Sequence, residues 1–168
     1  MRIFVPFVFC VSLLLGQFDN SGTSAANFLK IGVGGRATAM GGAIPGQVDD
    51  PTSLFWNPAG IANARNIEFT VNHNDWIFDL THSYIAAVMP AGRVGHFGLS
   101  INYLDMGKME RTTELAPEGD GTSFSASDIA IGFAYAKKMS DRFNVGIQLK
   151  MIQESISFSS ARAVAIDA

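Results

Sequence analysis

The chain has 168 residues, 48% of them hydrophobic and only 16% charged, with a formal net charge of -3. It is long enough to bury a sizeable core. It is too apolar and aromatic for a disordered polymer, and too short of basic residues for a nucleic-acid-binding surface. An average globular protein carries about 25% charged residues, so this surface is unusually poor in charge.

The first element is an address. Met1-Arg2 supplies one positive charge and Ile3 to Leu15 is almost unbroken apolar sequence, followed by the polar Asp19-Asn20-Ser21-Gly22. That layout predicts a secretory signal peptide over residues 1–18, with cleavage between about Gly16 and Phe18. The run is shorter than the roughly 20 residues a membrane-spanning helix needs. Cys10 is the one cysteine; Phe9 precedes it and Val11 to Leu15 continue the apolar run. Neither a disulfide nor a lipid anchor is expected from it. No later stretch stays apolar for 18 residues, so a mature form in a membrane must cross it as strands.

Residues 21–63 are rich in Gly, Ala, Ser and Asn and lack a clear period. Gly32-Val33-Gly34-Gly35-Arg36-Ala37 has the outline of a dinucleotide-binding turn, with Asp49-Asp50 downstream. The context argues against it: Gly41, Gly42, Pro45 and Gly46 interrupt the helix that would have to follow. Asp49-Asp50-Pro51 and Trp56-Asn57-Pro58-Ala59-Gly60 predict a rigid corner. Asn and Asp side chains bond their own backbone there, Pro fixes φ, and Phe55 and Trp56 pin the corner to something apolar.

From about residue 64 the pattern becomes that of strands. Expected strands lie near 65–73 and 80–90. The clearer ones run from Phe97 to Tyr103, from Ser127 to Ala136 and from Asp141 to Met151, each with apolar residues at every second position. In the last, Phe143, Val145, Ile147, Leu149 and Met151 share one face, and Asn144, Gly146, Gln148 and Lys150 the other. Pro90 to Arg93 and Lys137 to Asp141 read as tight turns. Gly107 to Ser123 reads as a long polar loop. Short turns alternating with longer loops suit an outer-membrane barrel, as do Tyr103 and Tyr135 near strand ends. The second face carries Gly, Ala, Ser and Asn instead of charge. In a barrel the aliphatic face would meet lipid and the small polar face would line the lumen. A secreted antiparallel sandwich has the same periodicity, so both stay open on this ground.

No catalytic residue, cofactor or metal is expected. His73, Asp75, Asp79 and His82 match no ligand spacing. Ser100 and Ser127 lack a G-x-S-x-G element and a paired acid. Lys137, Lys138, Arg142 and Lys150 read as a solvated turn and strand end.

Several motifs in order resemble one known family. They are Gly22-Thr23-Ser24-Ala25-Ala26-Asn27-Phe28-Leu29-Lys30-Ile31-Gly32-Val33-Gly34, Arg36-Ala37-Thr38-Ala39-Met40-Gly41-Gly42-Ala43, and the corner Asp49-Asp50-Pro51 with Trp56-Asn57-Pro58-Ala59-Gly60. Farther on come Glu110-Arg111-Thr112-Thr113, Asp128-Ile129-Ala130-Ile131-Gly132 and Asp141-Arg142-Phe143-Asn144-Val145-Gly146. Together they resemble the PorV/PorQ-type proteins within the FadL-like outer-membrane β-barrels. The resemblance implies an all-β antiparallel transmembrane barrel in the bacterial outer membrane. Residues 19–63 would form an N-terminal plug or hatch, and residues 64–168 the first strands of a wall that is incomplete here. Arg36, Gly41, Gly42, Asp49, Asp50, Asn57, Pro58, Ala59 and Gly60 would be the hatch motif, structural in role. Ile44-Pro45-Gly46-Gln47 departs from the more apolar stretch usual in the family. The function the resemblance implies is a shuttle component of type IX secretion, with secreted cargo and other secretion components as partners. FadL-like uptake of hydrophobic small molecules is the alternative, and a soluble β-sandwich binding module a third.

Overall fold

The structure is a computed structural model that describes residues 25–43, 46, 49–114 and 116–168. The expected signal peptide, and Ile44, Pro45 and Gln47 of the departing stretch, lie outside the described residues. Six strands form one open antiparallel sheet in chain order: β1 Glu68–Asp75, β2 Thr81–Pro90, β3 His96–Glu110, β4 Ser123–Ser140, β5 Phe143–Ile156 and β6 Ser159–Asp167. Ahead of them come two short helices, α1 Gly35–Ala39 and α2 Ser53–Trp56, and 3₁₀ turns at Asn27–Lys30 and Pro58–Asn63. The chain is all-β in its bulk. Among the described residues there is no second sheet to complete a sandwich.

Two strands run well past their expected ends. β3 continues to Glu110 and β4 begins at Ser123, so the loop between them shrinks to residues 111–122. The register shifts between Asp105 and Lys108, where Gly107 has φ +66° and the Asp105 carboxylate accepts its N–H at 3.0 Å. Such a bulge breaks the period of two that marks a strand in sequence. The β5–β6 turn, Ser157-Phe158, lies at the same end of the sheet as that long loop. It has two residues, so loop length alternates less cleanly than expected.

Because each pair is antiparallel and in register, residues form rows across the sheet. On one face Val71, Ile85, Ile101, Ile131, Met151 and Val164 make an aliphatic row spanning all six strands. The next row is Phe69, Ala87, Leu99, Phe133, Leu149 and Ile166. These rows are bare: Phe133 is 55% exposed, Met151 62% and Val164 68%. The opposite face carries Tyr84, Asn102 and Ala130 in one row, and Gly98, Ala134 and Gln148 in another. That face is buried, because the N-terminal segment lies on it. A soluble sheet buries its large aliphatic side chains and exposes its small polar ones. Here the aliphatic rows are bare, while the buried face mixes small and polar residues with Tyr84, Val88, Leu104 and Ile152.

Candidate functional site

The N-terminal segment is held together by its own local chemistry. Asp50 Oδ1 accepts from the Thr52 N–H at 2.7 Å and from the Thr52 hydroxyl. This closes the turn into α2. Asn57 is extended, at φ -160°, and caps the 3₁₀ turn that follows: its Oδ1 accepts from the Ala59 N–H at 3.1 Å, with Pro58 in the first position. Gly60 N–H donates to the Asn57 carbonyl.

α1 ends in a Schellman motif. Gly42 N–H reaches the Ala37 carbonyl and Gly41 N–H the Thr38 carbonyl. Gly41 and Gly42 take φ of +64° and +76°, which L side chains rarely adopt. Trp56 lies over this bend. Its indole N–H donates to the Val33 carbonyl at 2.9 Å, and its ring passes Gly32 and Gly42 at the distance where a Cβ would just touch it. Arg36 and Asp49 pair at 3.4 Å on the surface. The nine hatch-motif residues thus occupy caps, bends and one exposed ion pair.

The segment sits on glycine. A Cβ on Gly146 would lie 2.6 Å from the Pro58 carbonyl carbon and 2.7 Å from Ala59 Cα. A Cβ on Gly98 would lie 2.5 Å from a Leu54 methyl. Ala134 and Ala136 are fully buried beside them, and with Leu54, Val33, Ile61, Tyr84 and Val88 they make the main apolar cluster. Phe28 packs on Leu104, Ala130 and Ile152 in a second. Three polar ties join the segment to the wall or to its rim. Ala26 N–H donates to Glu154 at 2.7 Å, Asn144 donates to Asn63 at 3.2 Å, and His96 donates to the Ala64 carbonyl at 3.0 Å. Within the wall itself, under the segment, Gln148 donates to Ser100 Oγ at 3.0 Å.

The seam is therefore part apolar and part polar. His82 and Asn102 share a hydrogen bond of 2.6 Å. Among the described residues, Asn102 Nδ2 and Gln148 Oε1 are buried with no hydrogen-bond partner. The sequence missed this seat. Gly98, Gly146 and the alanines read only as small lumen residues, since nothing in a single strand says what presses on it. Lys150, read as part of a solvated strand end, instead lies on the inner face and pairs with Asp167.

The other candidates are scattered. His73 and Asp75 are on the aliphatic face and pair at 3.7 Å, while His82 is buried on the opposite face. Among the described residues no three His, Cys, Asp or Glu side chains are grouped to hold a metal. Ser100 and Ser127 also fall on opposite faces. Gly32 to Ala37 follow a 3₁₀ turn, not a strand, and lead into a five-residue helix. A cleft of about 560 Å³ opens between α1, residues 50–52 and the start of β1. No helix among the described residues is long and apolar enough to cross a membrane, which says nothing of strands.

Comparison with curated proteins and with solved structures gives no match. The model of the uncharacterised protein family UPF0164 matches residues 16–161, and the chain belongs to that family.

Proposed function

We propose that this chain supplies the hatch and a six-stranded stretch of wall of a bacterial outer-membrane β-barrel. The carrying observation is the bare apolar face: aliphatic rows lie exposed across six strands, opposite a mixed face that the N-terminal segment covers. A monomer in water rarely leaves so wide an apolar patch uncovered. In lipid that patch is the favourable surface. The apolar face of β5 runs unbroken from Phe143 to Met151, the nine to eleven residues a tilted transmembrane strand needs. The edges at β1 and β6 must be paired in a bilayer. The reading therefore requires further strands, since closed single-chain barrels begin at about eight.

For the barrel's task, the resemblance to PorV/PorQ-type proteins supports a component of type IX secretion that engages cargo proteins. The alternative is FadL-like uptake of hydrophobic molecules, which the polar seam of His82, Asn102, Ser100 and Gln148 does not favour. Fractionation and heat-shifted gel mobility test the barrel. Carbonate-extractable, heat-insensitive protein overturns it. A deletion strain then separates the tasks. Cargo lost from the cell surface with fatty-acid uptake unchanged supports secretion, and the reverse supports uptake.

A further inference from the structure

The row at one border of the aliphatic face is His73, Ser83, Tyr103, Ile129, Gln153 and Arg162. The next row outward is wholly polar: Asp75, Thr81, Asp105, Ser127, Ser155 and Ser160. If the aliphatic rows face hydrocarbon, the border row lies at the depth of lipid headgroups. A groove of about 360 Å³ crosses that border, lined by Ile129, Ile131, Met151 and Val164 and, towards the polar row, by Gln153 and Arg162.

Arg162 is exposed, and its Nε donates to Gln153 Oε1 at 3.1 Å. That bond holds the planar guanidinium at the mouth of the groove. Among the described residues Arg162 has no carboxylate partner. The adjacent Glu154 lies on the other face, where it accepts from Ala26. An unpaired guanidinium offers fixed donors suited to two phosphate oxygens at once. The channel of isoleucine, methionine and valine leading from it runs towards the membrane centre and fits an acyl chain.

We propose that this groove binds one phosphate-bearing membrane lipid, its phosphate on Arg162 and an acyl chain along Ile131, Met151 and Val164. The inference rests on the barrel reading. It commits to a lipid phosphate, because a free phosphate would leave the apolar floor unused.

The test uses the full-length protein extracted from membranes into maltoside micelles, which carry no phosphate. Bound phosphatidylglycerol is counted by native mass spectrometry across a titration. The expected result is one retained lipid, with affinity about tenfold weaker in R162Q, that is about 1.4 kcal/mol. R162K should be intermediate, and M151Q should also weaken binding. Inorganic phosphate added alone should not be retained and should not displace the lipid. Equal lipid retention by wild type and R162Q overturns the proposal, as does binding of inorganic phosphate that M151Q leaves unchanged. Heat-shifted mobility is measured on the same samples. A heat-shifted protein whose lipid binding ignores Arg162 sinks this site alone, whereas loss of the heat shift in the wild type sinks the barrel reading as well.

Discussion

Gly146→Ala tests whether the Asn57-Pro58-Ala59 corner is seated as described. The new methyl would stand 2.6 to 2.7 Å from two backbone atoms of that corner, well inside the 3.5 to 4.0 Å of a relaxed carbon contact. Backbone cannot swing aside as a side chain can, and this backbone is fixed by Pro58 and the Asn57 cap. Either the corner lifts by about 1 Å or the strand bows. Overpacking of this kind costs about 1–3 kcal/mol. Alanine recovers about 0.5–1 kcal/mol of that through its lower backbone entropy. A clash with fixed backbone belongs in the upper part of the overpacking range, about 2–3 kcal/mol, so the expected net loss is about 1–2.5 kcal/mol, read as a lower denaturant midpoint with unchanged slope. Trypsin should also cut faster at Arg36 and Arg65, which flank the corner. Gly35→Ala is the control: no heavy atom lies within 4 Å of its Cβ position and it begins a helix, so it should be neutral or slightly stabilising. Gly146→Ala with wild-type midpoint and wild-type protection from trypsin would refute the seating.

Gly98→Ala presses on the Leu54 side chain, not on backbone, so Gly98→Ala with Leu54→Ala should lose less stability than the two separate losses added, in a double-mutant cycle of denaturation midpoints. Asn57→Ala removes a cap and should cost about 1 kcal/mol in the same assay, while Arg36→Ala, which breaks an exposed pair, should change the midpoint by less than about 0.5 kcal/mol. Ile131→Arg should cost about 2–4 kcal/mol in a refolded barrel and spare Ser127→Arg at the polar row. A water-exposed sheet would tolerate both alike. In the β3–β4 loop, hydrogen bonds from the Thr122 hydroxyl and then its N–H hold the Asp120 carboxyl below the ordinary carboxylate range. Its folded pKa is depressed, so its stabilisation of the loop is present at neutral pH and is lost as pH falls through the folded pKa. Amide exchange of Thr122 should accelerate on acidification, and Asp120→Asn should abolish that dependence.

Much of the wall was legible because a strand's two faces alternate in sequence. Ile129, Ile131, Phe133 and Tyr135 fell on one side and Ala130, Gly132, Ala134 and Ala136 on the other, as the sheet has them. The bulge at Gly107 and the Ser157-Phe158 turn were not. The first breaks the alternation, and the second uses no Gly, Asn or Asp, the residues that mark a hairpin turn. The Asn57 corner was legible as a rigid turn since its cap and its proline are adjacent. Its partner was not, because Gly146 records a close approach only as a missing side chain, and an isolated glycine in a strand has several other uses.

In the proposed barrel, lipid covers the aliphatic face while the N-terminal segment covers the other. Single-site fluorophores in liposomes with brominated acyl chains measure it most directly, placed at Ile131, Phe133 and Leu149 on one face and at Ala130, Ala134 and Gln148 on the other. Strong quenching is expected at the first three sites and little at the second three. Equal quenching at both sets, or none at Ile131, Phe133 and Leu149, would contradict that arrangement.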